Sequence, residues 1–306
     1  MVLLFDIGNT STVLGFMRDD NLAFTERIPT AGADKHELIR AVLHAHDIQP
    51  EMIQSAVLSS VVPRVAEEIR NALLKMQIHD IMQLSCHTDT GLGYRVDRPE
   101  TIGVDMIAGA CAAVNRFGAP VIVIDMGTAT TFAAVDEEKN YLGHVIIPGV
   151  HVALSALTER TAQLPQIELT VPPGVIGKNT QDAMKSGSLY GAAAMIDGML
   201  DRIAEECGWQ FACGQDTHEQ DVCKQFAREL GVCEQDTHEQ DAREQDMGGQ
   251  DARAQEQEWK KIVTVVATGG LAGIVTPLCR HEIILDDVLV LEGMYDAWLR
   301  SRGKDE

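Results

Sequence analysis

Two short stretches put a carboxylate, a glycine and a set of hydroxyls in the same order. VLLFDIGNTST occupies 2–12 and VIVIDMGTATT occupies 121–131, so Asp6 matches Asp125 and Gly8 matches Gly127, about 119 residues apart. In each, an apolar run ends in Asp-x-Gly and opens into a small, hydroxyl-rich turn. Glycine lets backbone N–H groups come close to a phosphate. Around Asp6, Ile7, Gly8 and Asn9, the side chains of Thr10, Ser11 and Thr12 add hydroxyl donors, and Val13 begins the next apolar run. An aspartate at the carboxyl end of a strand can hold Mg²⁺ directly or through water, because hard cations prefer carboxylate oxygen. One such turn would be an ordinary hairpin; two of them, facing across a cleft, would clamp a polyphosphate from both sides. A third candidate is Thr268-Gly269-Gly270 after the apolar run 263–267, where glycines would let backbone lie against a nucleoside.

The elements that must position these turns can be read from periodicity. The run 1–6 is a buried strand, and 13–17 and 22–28 continue it as a meander with a turn at 18–21. Leu38, Ile39, Val42 and Leu43 lie at helical spacing within 34–46. A strand at 53–61 leads to Pro63, well placed to open a helix over 63–75. A strand at 80–84 and a small-residue helix at 101–116 complete the first half. The second half gives strands near 121–126, 130–136 and 141–147, helices near 150–162 and 180–206, strands at 261–267 and 282–285, and a last helix at 287–302. Such alternation indicates an α/β protein, divided as 1–117 and 118–306.

Between 207 and 258 the composition changes. CGQDTHEQD at 213–221 recurs as CEQDTHEQD at 233–241. The stretch has little apolar material, and reads as a disordered or loosely helical acidic insertion. Cys213, His218, Cys223, Cys233 and His238 match no usual zinc spacing, and expansion of the repeat explains them more simply. The whole chain has 306 residues and a formal net charge of −21, a surface that repels nucleic acid and anionic membranes. A nucleotide site on it needs local compensation from backbone N–H groups and a metal ion. Seven irregularly spaced cysteines without a CxxC argue for reduced thiols. The N-terminus lacks a basic leader, and no apolar run reaches the roughly 20 residues of a membrane span, so a soluble, cytoplasmic protein is expected.

The order of phosphate turn, phosphate turn and late Gly-Gly resembles the actin/hexokinase/Hsp70-type ATPase superfamily. Several whole segments are more specific: DIGNTST (6–12), PETIGVDM (99–106), DMGTATTF (125–132), LGHVIIPG (142–149), LPQIEL (164–169), VIGKNT (175–180), SGSLYG (186–191), ATGGLA (267–272) and LEG (291–293). Together they resemble type III pantothenate kinases. That resemblance implies duplicated ribonuclease H-like domains with a nucleotide cleft between them, Mg²⁺-ATP and pantothenate as substrates, a monovalent cation (K⁺ or NH₄⁺), and a homodimer with its active site at the subunit interface. It implies that Asp105 accepts the proton of the attacking hydroxyl; on local sequence alone, a helix N-terminal aspartate favoured by the dipole would do as well. It further implies Asp125 as the monovalent-cation ligand, Thr128 as an ATP contact, Gly103, Val104, Asp105 and Met106 as the acceptor-binding turn, and Thr180 as a pantothenate contact from the second subunit. Some positions depart from the family pattern. Met106 stands where an arginine is usual, Val96 where a tyrosine is usual with Tyr94 nearby, His144 breaks a glycine pair, and His151 replaces a small residue. Two rival readings are a degenerate nucleotide-binding paralogue with a regulatory or accessory role, and a sugar kinase or polyphosphatase of the same fold.

Overall fold

The structure, a computed structural model, describes residues 1–211 and 261–303. Its first half opens with β1 (Val2–Ile7), β2 (Ser11–Arg18) and β3 (Asn21–Pro29), followed by α1 (Lys35–Ala45), β4 (Ser55–Ser60), α2 (Pro63–Lys75) and β5 (Ile81–Gln83). The strands form one sheet in the order β3-β2-β1-β4-β5, with β1 antiparallel to β2 and parallel to β4. β1 is apolar on both faces because helices cover both: Leu3, Phe5 and Ile7 join the core under α1 and α2, while Val2 and Leu4 join a core on the other side. Asp34 caps α1 by accepting the N–H of His36, and Pro63 opens α2 where its missing N–H costs nothing.

The pattern then repeats. After the two-residue β6 (Gly93–Tyr94) and α3 (Val104–Phe117) come β7 (Val121–Met126), β8 (Ala129–Val135) and β9 (Asn140–Pro148), a second meander. Next are α4 (Val150–Glu159), the long α5 (Thr180–Cys207), β10 (Trp209–Phe211), β11 (Lys261–Thr268), α6 (Ala272–Val275), β12 (Ile284–Leu285) and α7 (Leu289–Arg302). The second sheet runs β10-β11-β7-β8-β9-β6, with β12 also paired to β11. β7 is antiparallel to β8 and parallel to β11, as β1 is to β2 and β4. The chain thus builds the ribonuclease H-like strand order twice.

The seam between the halves is an exchange of helices. α3 packs against β7 and β8 of the second sheet, and α7 packs against β1 and β4 of the first. Ala108 of α3 shares a buried cluster with Leu291, Met294 and Ala297 of α7. The backbones meet closely there: a Cβ on Gly293 would overlap the Ala108 carbonyl.

Several expectations shift. The helix expected from 101 begins at Val104, because Pro99–Thr101 forms a 3-10 turn and Gly103 is extended. The helix expected to reach 162 ends at Glu159. β6, β10 and α6 are too short to give a periodic signal. The boundary at 207 falls too early: Gly208, in the left-handed conformation at φ +70°, ends α5, and Trp209–Phe211 then pairs in parallel with β11. Residues 212–258, with the repeats and their Cys and His residues, lie outside the described residues.

Candidate active site

The two Asp-x-Gly turns meet. Thr10 Oγ1 lies 3.3 Å from Thr128 Oγ1, so the tips of the turns are in hydrogen-bond contact across 118 residues of chain. Each turn closes on a glycine N–H: Gly8 donates to Ser11 O at 3.1 Å and Gly127 to Ala129 O at 3.0 Å. The first turn is one residue longer, since Asp6 pairs with Val13 while Asp125 pairs with Thr131.

Supports outside the motif fix each turn. Thr30, just past β3, donates its hydroxyl to Gly8 O at 2.8 Å, and its Oγ1 stands 3.0 Å from Thr12 Oγ1, both threonines being buried. Arg27 of β3 donates from Nη1 to Ser11 Oγ at 2.7 Å. The second turn is held by Gly149, whose N–H donates to Thr128 O at 3.0 Å; a side chain there would overlap the backbone of Gly127 and Thr128. Gly269, at φ +95°, lies against the same turn, where a Cβ would come within 2.6 Å of Asp125 Oδ1. Gly270 has open space around its Cα.

Three carboxyl groups converge on the cleft. Asp6 is pushed up to about 7, first by burial, then by the charges of Asp105 and Asp125, with Arg27 opposing. Burial and then Asp105 push Asp125 up to about 6. Asp105, in the first turn of α3, is raised by burial against the lowering effect of the Met106 N–H, which donates to its Oδ1 at 2.8 Å. Asp105, Met106, Asp125, Thr131 and Thr268 line one small cavity. Like charges held together in a low-dielectric cleft disfavour their own ionisation, and a divalent cation carried in with a nucleotide would reverse that. Among the described residues, no three His, Cys, Asp or Glu side chains stand close enough to hold a metal ion by themselves.

Thr180 lies elsewhere. It is the first residue of α5, behind Asn179, which caps the helix through the Asp182 N–H. It lines a groove of about 730 Å³ between α4 and α5, walled by Val150, Leu154, Leu157, Met184 and Gly187, and it does not line the Asp105 cavity. Met106 and Val96 pack at the edge of one apolar cluster, with Tyr94. His144 pairs with Ala133 and its ring lies 6.0 Å from that of Tyr141, while His151 sits exposed on α4. Sequence reasoning missed Arg27 and Thr30, whose link to the turn runs across strands.

A twice-built ribonuclease H-like sheet with paired Asp-x-Gly turns at the seam defines an actin-like nucleotide-binding protein. Residues 2–202 match the family model for type III pantothenate kinase. The chain is 37% identical to the type III pantothenate kinase of an Exiguobacterium species over 212 residues, 68% of this chain and 84% of that protein. It is 32% identical to that of Moorella thermoacetica over 98% of this chain and the whole of that protein. A solved structure of a Baf family transcriptional activator from Campylobacter jejuni is similar in fold, with a TM-score of 0.52 at 16% identity over 98% of this chain and 99% of that one. The chain belongs to the type III pantothenate kinase family.

Proposed function

We propose that this chain transfers the γ-phosphate of ATP to the hydroxyl of pantothenate, giving 4′-phosphopantothenate, the first step of coenzyme A biosynthesis. The observation that carries this reading is the 3.3 Å approach of Thr10 and Thr128, which brings two phosphate-type turns together beside Asp105, in a chain of this family. Residues 6–13 and Thr128 cradle the polyphosphate, and Gly269 and Gly270 take the adenosine. Asp6 holds Mg²⁺, which supplies charge neutralisation on the phosphates when bound, and Asp125 serves a monovalent cation such as K⁺. Gly103, Val104 and Met106 surround the acceptor. Asp105 takes the hydroxyl proton as the new O–P bond forms and the bond to the β-phosphate breaks, releasing ADP. An ordinary carboxylate suffices because the proton leaves late in a loose transition state.

The cleft lies between halves divided at 117/118, with α3 and α7 exchanged across it. We place a second copy of the chain on the apolar α4/α5 groove, where Val152 and Leu157 are exposed, so that Thr180 of one copy serves the acceptor site of the other. No described helix is long and apolar enough to cross a membrane, and we place the enzyme in the cytoplasm. One observation favours a second reading: Met106 and Val96 make an apolar edge where the family pattern has a cation and a tyrosine, which suits a nucleotide-binding accessory protein. ADP release by purified protein separates them. Release that requires pantothenate, Mg²⁺ and K⁺ supports the kinase. ATP binding without pantothenate-dependent release supports the accessory role.

A further inference from the structure

In this chain of net charge −21, several basic side chains are paired with acidic neighbours. Arg95 pairs with Asp136, Arg98 with Glu100, and Arg116 with Asp286 and Glu292. Arg27 is different. Its bond is to an uncharged hydroxyl, Ser11 Oγ at 2.7 Å, and it makes no ion pair among the described residues. Four of the five N–H donors of its guanidinium are therefore uncommitted.

The sheet register fixes where that cation points. Asp6 pairs with Val13 across β1 and β2, and Val13 pairs with Arg27 across β2 and β3. The three residues form one row, so their side chains leave the same face of the sheet, two strand spacings or roughly 10 Å from first to last. That face carries the cleft. Arg27 reaches along it to Ser11, a residue of the Asp-x-Gly turn that contacts Thr128 through Thr10. A polyphosphate seated on the turn would pass beside the guanidinium, whose planar fork matches phosphate oxygens.

We infer that Arg27 is the phosphate-positioning cation of the nucleotide site, presented from β3 across Ser11 to the polyphosphate chain of a nucleoside triphosphate. The inference rests on the nucleotide-binding part of the function proposed above, and not on the identity of the acceptor. It also explains how so acidic a chain admits ATP: the compensation is one uncommitted guanidinium at the mouth of the turn, together with the backbone N–H groups.

The test is equilibrium binding of Mg²⁺-ATP and of adenosine to the full-length protein, its Arg27→Gln and its Arg27→Lys variants, with thermal melting alongside. Arg27→Gln is expected to weaken Mg²⁺-ATP about tenfold or more and leave adenosine binding and Tm unchanged. Arg27→Lys is expected to recover part of the loss, since it restores the charge without the fork. Unchanged ATP binding in Arg27→Gln overturns the inference. Parallel loss of ATP and adenosine also overturns it, since that marks a structural role. Wild-type protein that binds ATP through Arg27 without phosphorylating pantothenate sustains the inference and defeats the kinase reading. Wild-type protein that binds neither nucleotide nor nucleoside defeats both.

Discussion

Asp105 sits where burial and a donated backbone N–H act on its carboxyl in opposite directions, with burial the larger. Asp105→Asn keeps the shape and removes the proposed proton acceptor. Phosphorylation of pantothenate is expected to fall by about 10²-fold or more, with Mg²⁺-ATP binding little changed; steady-state kinetics with a binding titration checks both. Asp6 gives a pH prediction. Its pKa rises from the ordinary 3.8 to about 7, first through burial and then through Asp105 and Asp125. A carboxyl whose folded pKa is raised contributes stability that is full below the unfolded value and is lost as pH rises through the folded one. Without metal or nucleotide, Tm should therefore decline between about pH 4 and pH 7. Asp6→Asn should reduce that decline and make the apoprotein more stable than wild type at pH 8. Melting curves that run parallel across this range would contradict the assignment. Asp6 and Asp125 were legible in the sequence, because a repeated Asp-x-Gly after an apolar strand is a pattern in one dimension, whereas Asp105 was singled out only by the family resemblance. Arg27 and Thr30 were not legible, since nothing in residues 27–30 hints that they lie beside residues 8–12 until β3 has folded back on β2.

The strands and long helices follow from periodicity alone. Runs such as 2–5 and 121–124 are apolar because both sheet faces are covered, and α2 begins where Pro63 says it should. What periodicity does not carry is which sheet a helix will cover. The small residues of α3 announce close packing, but the exchange of α3 and α7 between the halves depends on tertiary shape. Gly293 tests that exchange. A Cβ there would overlap the Ala108 carbonyl oxygen, which is backbone and cannot rotate away. Gly293→Ala should push the helices apart and destabilise the protein by about 1–3 kcal/mol or more, even though alanine favours a helix over glycine by about 1 kcal/mol. Denaturant unfolding of the variant reads the sign directly: stabilisation would mean that the two helices do not meet as described. Elements of two to four residues, such as β6, β10 and α6, stay invisible to the sequence because they exist only through their neighbours.

At the scale of the molecule, the acidic charge is unevenly spread. Residues 212–258 carry 13 acidic and 4 basic residues, so much of the net −21 comes from one stretch between two paired strands. Because Trp209–Phe211 belongs to the sheet, an excision must spare it. Replacing 213–258 with a short Gly/Ser linker should leave Tm, sedimentation and kinase activity close to wild type, since loop length is penalised only logarithmically. A lower Tm, a dissociated dimer or loss of bound zinc in the excised protein would assign the stretch a structural part. The repeat that builds the cleft was legible before the fold was known; the groove at Thr180 was not, because its walls come from α4 and α5 and the intervening chain. In the function proposed, two facing turns and Asp105 deliver the terminal phosphate of ATP to pantothenate. The most direct test is transfer of radiolabelled γ-phosphate from ATP to pantothenate by the purified protein with Mg²⁺ and K⁺, followed by separation of the products. The expected result is label in 4′-phosphopantothenate, in equal amount to the ADP formed, and nearly none with Asp105→Asn. Label that stays in ATP, or appears only as free phosphate, in wild-type protein that binds ATP would contradict it.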